Sequence, residues 1–158
     1  MIGKGKAIAH GGNAINYVMH EDKMDRIVGR NLIDSDTPAD ILREFEMVNQ
    51  YNYRCKNKYM RYEIGIAPQD IDKLKLGDMS KIARTFAHKM GLQNHQWIAC
   101  THKDSGKPHI HLIANRIGVM WVITLSSAFL AGYFIHERQQ WKEKAMYWYQ
   151  MYEEVKKK

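Results

Sequence analysis

The sequence predicts an α+β fold: a mainly antiparallel five-stranded sheet with helices on one face, followed by a long C-terminal helix. Strand-like and helix-like segments alternate in the order βαβαβαββ through about residue 117, too mixed for a doubly wound parallel sheet. The last two strand segments are joined by a short polar turn, which makes them a hairpin rather than a crossover. A hydrophobic content of 45% in 158 residues is enough for one buried core.

The elements follow in order. Lys4–His10 is a short strand, and Gly11, Gly12 and Asn13 open a helix that runs through about His20. Ile27–Ile33 is the second strand. The stretch from Ser35 to Asp40 supplies an N-cap and a first-turn proline, Pro38, for a helix through Ile41, Leu42, Phe45 and Val48. Tyr59–Ala67 alternates and stops at Pro68, as a third strand should. Asp78–Met90 carries Met79, Ile82, Ala83, Phe86 and Met90 on one stripe, with Gly91 as its stop. Trp97–Arg116 completes the sheet as a hairpin, with Asp104–Lys107 as the turn. One hairpin face is apolar (Trp97, Ala99, Ile110, Leu112, Ala114), so the helices are expected there, leaving the other face open.

Residues 118–158 differ in character. The stretch 117–135 holds 19 consecutive uncharged residues, close to the ~20 that span a bilayer as a helix. It is a candidate transmembrane segment and membrane contact. The alternative is a buried strand over Val119–Leu125 followed by a core helix. Trp141, Ala145, Trp148, Tyr152 and Val155 recur at heptad-like spacing on a charged helix, a candidate seam for self-association. The division expected is therefore 1–117 and 118–158.

A net charge of +7 suits an acidic polymer or surface as partner. Two cysteines far apart, Cys55 and Cys100, argue against a disulfide framework. The N-terminus carries no apolar secretion signal. A cytoplasmic location is expected, with 117–135 as the candidate anchor.

The hairpin carries the chemistry. His109 and His111, two apart on a strand, share a face. A four-residue turn puts His102 opposite His109. Three imidazoles then converge on one patch, a three-ligand metal site, with Asp104 near enough to orient a ring. The alternative is an apo histidine cluster on a sheet face. Cys100 falls opposite His111, as a fourth ligand or, more simply, a buried small hydrophobe.

His102-Lys-Asp104, Pro108-His-Ile-His111 and Asn115-Arg116 resemble the metal-binding motif of plasmid and transposon mobilization relaxases. The opening, from Lys4 to Tyr17, is similar to the first motif of those proteins, particularly those of Bacteroides-type elements. The resemblance covers roughly 1–117. It implies a relaxase/rolling-circle nuclease-like fold and a site-specific transesterase for single-stranded DNA at an origin of transfer. A tyrosine joins itself to the DNA 5′ end and frees a 3′ hydroxyl, and three histidines hold a divalent metal. The ion expected is magnesium or manganese, with zinc allowed by the nitrogen donors. Mobilization accessory proteins are the implied partners. The apolar run after Arg116 departs from the family pattern and points to a shortened domain.

Tyr17 is the candidate nucleophile. On a helix over residues 13–21, Ile15, Val18 and Met19 form the apolar stripe and Tyr17 lies nearly opposite. His20, on the same polar side, is a candidate base or DNA contact. It is also the alternative nucleophile, because the resemblance extends to some mobilization enzymes that use a histidine. Glu63 is a candidate to orient a ligand histidine or take the tyrosine proton, or else a solvated edge residue. Arg54, Lys56, Lys58 and Arg61, interleaved with Tyr51, Tyr53, Tyr59 and Tyr62, form a basic-aromatic run suited to phosphates and unpaired bases. Asn115 and Arg116 are expected to shape the site edge, Asn115 by supporting the metal ligands and Arg116 as a further DNA contact. The competing functions are a non-catalytic DNA-binding or membrane-tethered accessory protein and a metal hydrolase for a small substrate.

Overall fold

A computed structural model describes residues 2–103 and 108–120. Within them lie β1 (Ile2–Ile8), α1 (Gly11–Val18), β2 (Met24–Asn31), α2 (Pro38–Asn49), β3 (Tyr59–Gly65), α3 (Pro68–Ile71), α4 (Asp78–Lys89), β4 (His95–His102) and β5 (His109–Gly118). The strands form one sheet in the order β1-β3-β5-β4-β2, antiparallel at every pairing. The histidine-bearing β4 and β5 are therefore internal, and β1 and β2 are edges.

Local signals set the helix ends. Thr37 Oγ1 accepts the backbone N–H of Asp40 at 3.2 Å and Pro38 opens α2. At the end of α4, Gly91 adopts a φ of +74°, while Leu92 N–H reaches Ala87 O and Gly91 N–H reaches His88 O, a Schellman closure. At Gly11 a Cβ would lie 2.5 Å from the Tyr59 ring, so only glycine lets α1 begin against that ring. The helix stops at Val18, two residues short of His20. The single turn α3 has no counterpart in the expected order.

The sheet is covered on both faces rather than one. α4 packs Met79, Ala83 and Ala87 onto Trp97, Ala99, Ile110, Leu112 and Ala114, as expected. On the opposite face α1 and α2 bring Ile15, Val18, Ile41 and Phe45 onto Ile98, Cys100 and Ile113. The reason lies in the central strands. Their histidine-side positions include Ile98, Cys100 and Ile113, which are apolar and fully buried, and both faces of an internal hairpin need cover.

The expected turn at 104–107, with Asp104, lies outside the described residues, as do 121–158 with most of the apolar run, the long helix and the heptad-like seam. Of 117–135, Ile117 and Gly118 close β5 instead of opening a helix. Among the described residues no helix is long and apolar enough to cross a membrane.

Asn115, expected at the site edge, is fully buried under α2. Its Nδ2 donates to Phe45 O and Gln96 Oε1, both at 3.1 Å, and its Oδ1 accepts from Ile117 N at 3.0 Å. It ties α2 to the β4–β5 pair. Cys100, also fully buried, is a core residue, and burial pushes its thiol up to about 12 against a smaller opposing pull from Arg30.

Asn115→Ala is expected to lower the unfolding free energy in urea by about 2–4 kcal/mol, because two buried backbone groups lose their partner. A change under about 0.5 kcal/mol would show that the position behaves as a surface site. The raised Cys100 thiol stabilises the fold fully below its ordinary value of 9.0, and that contribution is lost as pH rises toward about 12. Burial raises Tyr59 and Tyr62 in the same sense. Stability measured against pH should therefore fall above about pH 9, and less steeply in Cys100→Ala; identical slopes in the two proteins would contradict this.

Candidate active site and metal centre

Antiparallel register builds the centre. His102 pairs with His109, and Cys100 with His111, so the three imidazoles sit on one face at the hairpin's end. Their ring centroids are 4.3 to 5.4 Å apart, and one nitrogen from each lies within 4.8 Å of the others. His102 and His111 are buried and His109 is half-buried at the mouth.

The donor set fits a divalent ion. A triangle 4.8 Å on a side has its centre about 2.8 Å from each corner, so closing to the ~2.1 Å typical of imidazole nitrogen takes shifts under about 1 Å. His102 Nε2 lies 2.9 Å from Val18 O. In a neutral ring that nitrogen carries the proton and donates, leaving the lone pair on Nδ1. Val18 ends α1, where the last carbonyls lack helical partners, so one bond satisfies the helix terminus and fixes the imidazole.

The same helix delivers Tyr17. Ile15 and Val18 anchor α1 in the core, and the half-buried Tyr17 ring lies 5.8 Å from the His102 ring and 5.9 Å from that of His111. Lys23 Nζ stands 4.2 Å and Arg61 Cζ 4.6 Å from the Tyr17 ring centroid. Both distances are within cation–π range, and the two cations add positive charge beside the imidazoles.

Arg61 belongs to β3, on the histidine side. So does Glu63, exposed and directly across from His111. An open groove of about 500 Å³ runs from Tyr17 past Asn13, His10, Lys6, Asn57 and Arg61. A second hollow of about 170 Å³ shares Lys6 and Arg61 with it and adds Lys4 and Glu63. The exposed lysines Lys4 and Lys6 pair with Glu63 and Arg61 across the sheet. Neither these lysines nor Lys23 stood out in the sequence, although the alternation of Lys4 and Lys6 with glycine and alanine on β1 was a usable signal.

Other candidate residues lie apart from this centre. His20 is exposed beyond the end of α1, and its Nδ1 accepts Asp22 N–H at 3.3 Å. Lys58 Nζ donates to Asn49 O at 3.0 Å, closing the end of α2. Arg116 is on the strand face opposite the histidines and donates to Asn57 O at 2.8 Å, which steadies one wall of the large groove. Arg54 and Lys56 are exposed in the loop before β3, with the Arg54 guanidinium 5.8 Å from the Tyr53 ring. Tyr51 and Tyr53 are exposed, whereas Tyr59 and Tyr62 are buried in the two cores.

Residues 17–145 match the family described as relaxase, MobA/VirD2-like, nuclease domain. The match begins at Tyr17 and continues past Arg116, so the apolar run 117–135 lies wholly within it. No individual curated protein matches the sequence. With most of the chain inside the family match and a three-histidine cluster beside a tyrosine in the fold, the chain belongs to the MobA/VirD2-like relaxase family.

Proposed function

We propose that the chain is a site-specific single-strand DNA transesterase that nicks at an origin of transfer, with Tyr17 as nucleophile and His102, His109 and His111 as metal ligands. The observation that carries this reading is the placement of Tyr17 against His102 and His111, residues far from it in sequence. A relaxase role in mobilization is the family's. The assignment of residues to steps is the proposal.

In the reaction a bond forms between Tyr17 Oη and phosphorus as the bond from phosphorus to the 3′ oxygen breaks. The phosphate stays on Tyr17 with the 5′ end of one strand, and the 3′ oxygen takes up a proton and leaves as a hydroxyl. The phenolic proton needs an acceptor. Glu63, across from His111, is the candidate for it, or for orienting that histidine. A divalent ion on the three neutral imidazoles would keep its full charge and stabilise the non-bridging oxygens as charge grows. Nitrogen donors favour manganese over magnesium and also allow zinc. Lys23 and Arg61 hold the Tyr17 ring and meet the phosphate from the tyrosine side. Lys6 and Arg61 then carry the strand along the groove.

Tyr17→Phe should abolish the denaturation-resistant adduct formed with single-stranded origin DNA and manganese while leaving metal binding intact, and His20→Ala should keep the adduct. Loss only in His20→Ala would transfer the nucleophile to His20. In calorimetric titration with manganese, His111→Ala should bind more than about tenfold more weakly than the unaltered chain. Equal affinities would place the ion elsewhere.

A further inference from the structure

The loop between α2 and β3, residues 50–57, carries the most exposed aromatic ring among the described residues. Tyr53 is 84% exposed and Tyr51 51%, while every other described phenylalanine, tyrosine and tryptophan is buried or half-buried. Arg54 and Lys56 stand on the same loop, which contains no acidic residue. Among the described residues neither cation has a carboxylate within ion-pair distance. The Arg54 guanidinium lies 5.8 Å from the Tyr53 ring instead.

Placement ties this loop to the face that holds Tyr17. It enters β3 at Tyr59, whose buried ring stacks on Phe45 of α2 at 5.9 Å and closes against Gly11 at the start of α1. Asn57, at the loop's end, is one wall of the groove that begins at Tyr17. It precedes Arg61 by four residues, a span of at most about 14 Å, and Arg61 Cζ is 4.6 Å from the Tyr17 ring centroid. A strand that follows the groove away from Tyr17 therefore arrives at this loop. The loop is also braced from within. Asn52 Oδ1 accepts the backbone N–H groups of Arg54 and Cys55 at 3.2 and 3.1 Å, and Cys55 Sγ and Arg116 both donate to Asn57 O. Its rings and cations are presented without a large ordering cost on binding.

Single strands are held by cations on the phosphates and aromatic rings on the unpaired bases, and this loop offers both. We propose that residues 50–57 form a base-stacking subsite for the single strand where it leaves the groove, with Tyr53 against an unpaired base and Arg54 and Lys56 on neighbouring phosphates. The subsite rests on the reading of the chain as a single-strand DNA enzyme. It adds a contact away from the nicked phosphate that accepts any base, because every base has a π-face. It also divides the basic-aromatic run by role: Arg61 serves the centre, Lys58 closes α2, Tyr59 and Tyr62 fill the cores, and only the loop residues face a strand beyond the groove.

The test is equilibrium binding, independent of turnover. A fluorescein-labelled thymidine homopolymer of about 20 nucleotides, longer than a single-strand site needs, is compared with an abasic polymer of equal length, which keeps the phosphates and lacks the bases. Both are titrated at fixed salt with the unaltered chain, Tyr53→Ala, Tyr53→Phe and Arg54→Ala. Tyr53→Ala should weaken the thymidine polymer about fivefold or more and leave the abasic polymer unchanged. Tyr53→Phe should bind as the unaltered chain does, since stacking needs the ring and not the hydroxyl. Arg54→Ala should weaken both polymers by a common factor. If Tyr53→Ala binds the thymidine polymer as tightly as the unaltered chain, or weakens both polymers equally, the subsite is overturned and the DNA reading stands. If the unaltered chain binds neither polymer, the reading as a DNA enzyme falls, and the subsite with it.

Discussion

The register of the β4–β5 pair is the constraint on which the rest depends. His102 opposite His109, and Cys100 opposite His111, put three imidazoles on one face. A slip of one residue would turn that set to the other face and send Trp97, Ala99, Leu112 and Ala114 out of their core. The register is pinned from both sides because both faces of the hairpin are apolar away from its tip. The histidines can therefore be polar and partly buried without loosening the pairing that aligns them.

Helix α1 converts that register into a site. Its start is set by contact between Gly11 and Tyr59, and its length by the core contacts of Ile15 and Val18. Tyr17 then stands beside the histidines, and the terminal carbonyl of Val18 accepts from His102. Core packing and chemistry are thus coupled through eight residues. A change in the buried side of α1 would displace the tyrosine and the imidazole together.

The electrostatics around this centre are graded. Lys23 and Arg61 surround the tyrosine ring, Lys4 and Lys6 continue the positive charge along the edge strand, and Glu63 stands across from His111. Neutral imidazoles add no negative charge to the ion they would hold. A positive surface of this kind attracts a phosphodiester.

Sequence alone determined the strands, the main helices and the convergence of His102, His109 and His111, because each follows from a local period or a short-range offset. It also placed Tyr17 off the apolar stripe of its helix. Tertiary structure decided what covers the histidine face. The apolar Ile98, Cys100 and Ile113 between the polar positions of the hairpin signalled a second core, yet the alternation drew attention to one face only. It also sorted the basic residues. Arg61 was legible as cationic, but only strand order brings it to Tyr17, while Lys58 and Arg116 are engaged by backbone carbonyls that no local pattern reveals. Asn115 read as a site residue by its place in the motif and proved a buried tie, since its partners Phe45 and Gln96 come from other elements. Periodicity fixes which way a side chain faces, and only the packing of distant segments fixes what it meets there.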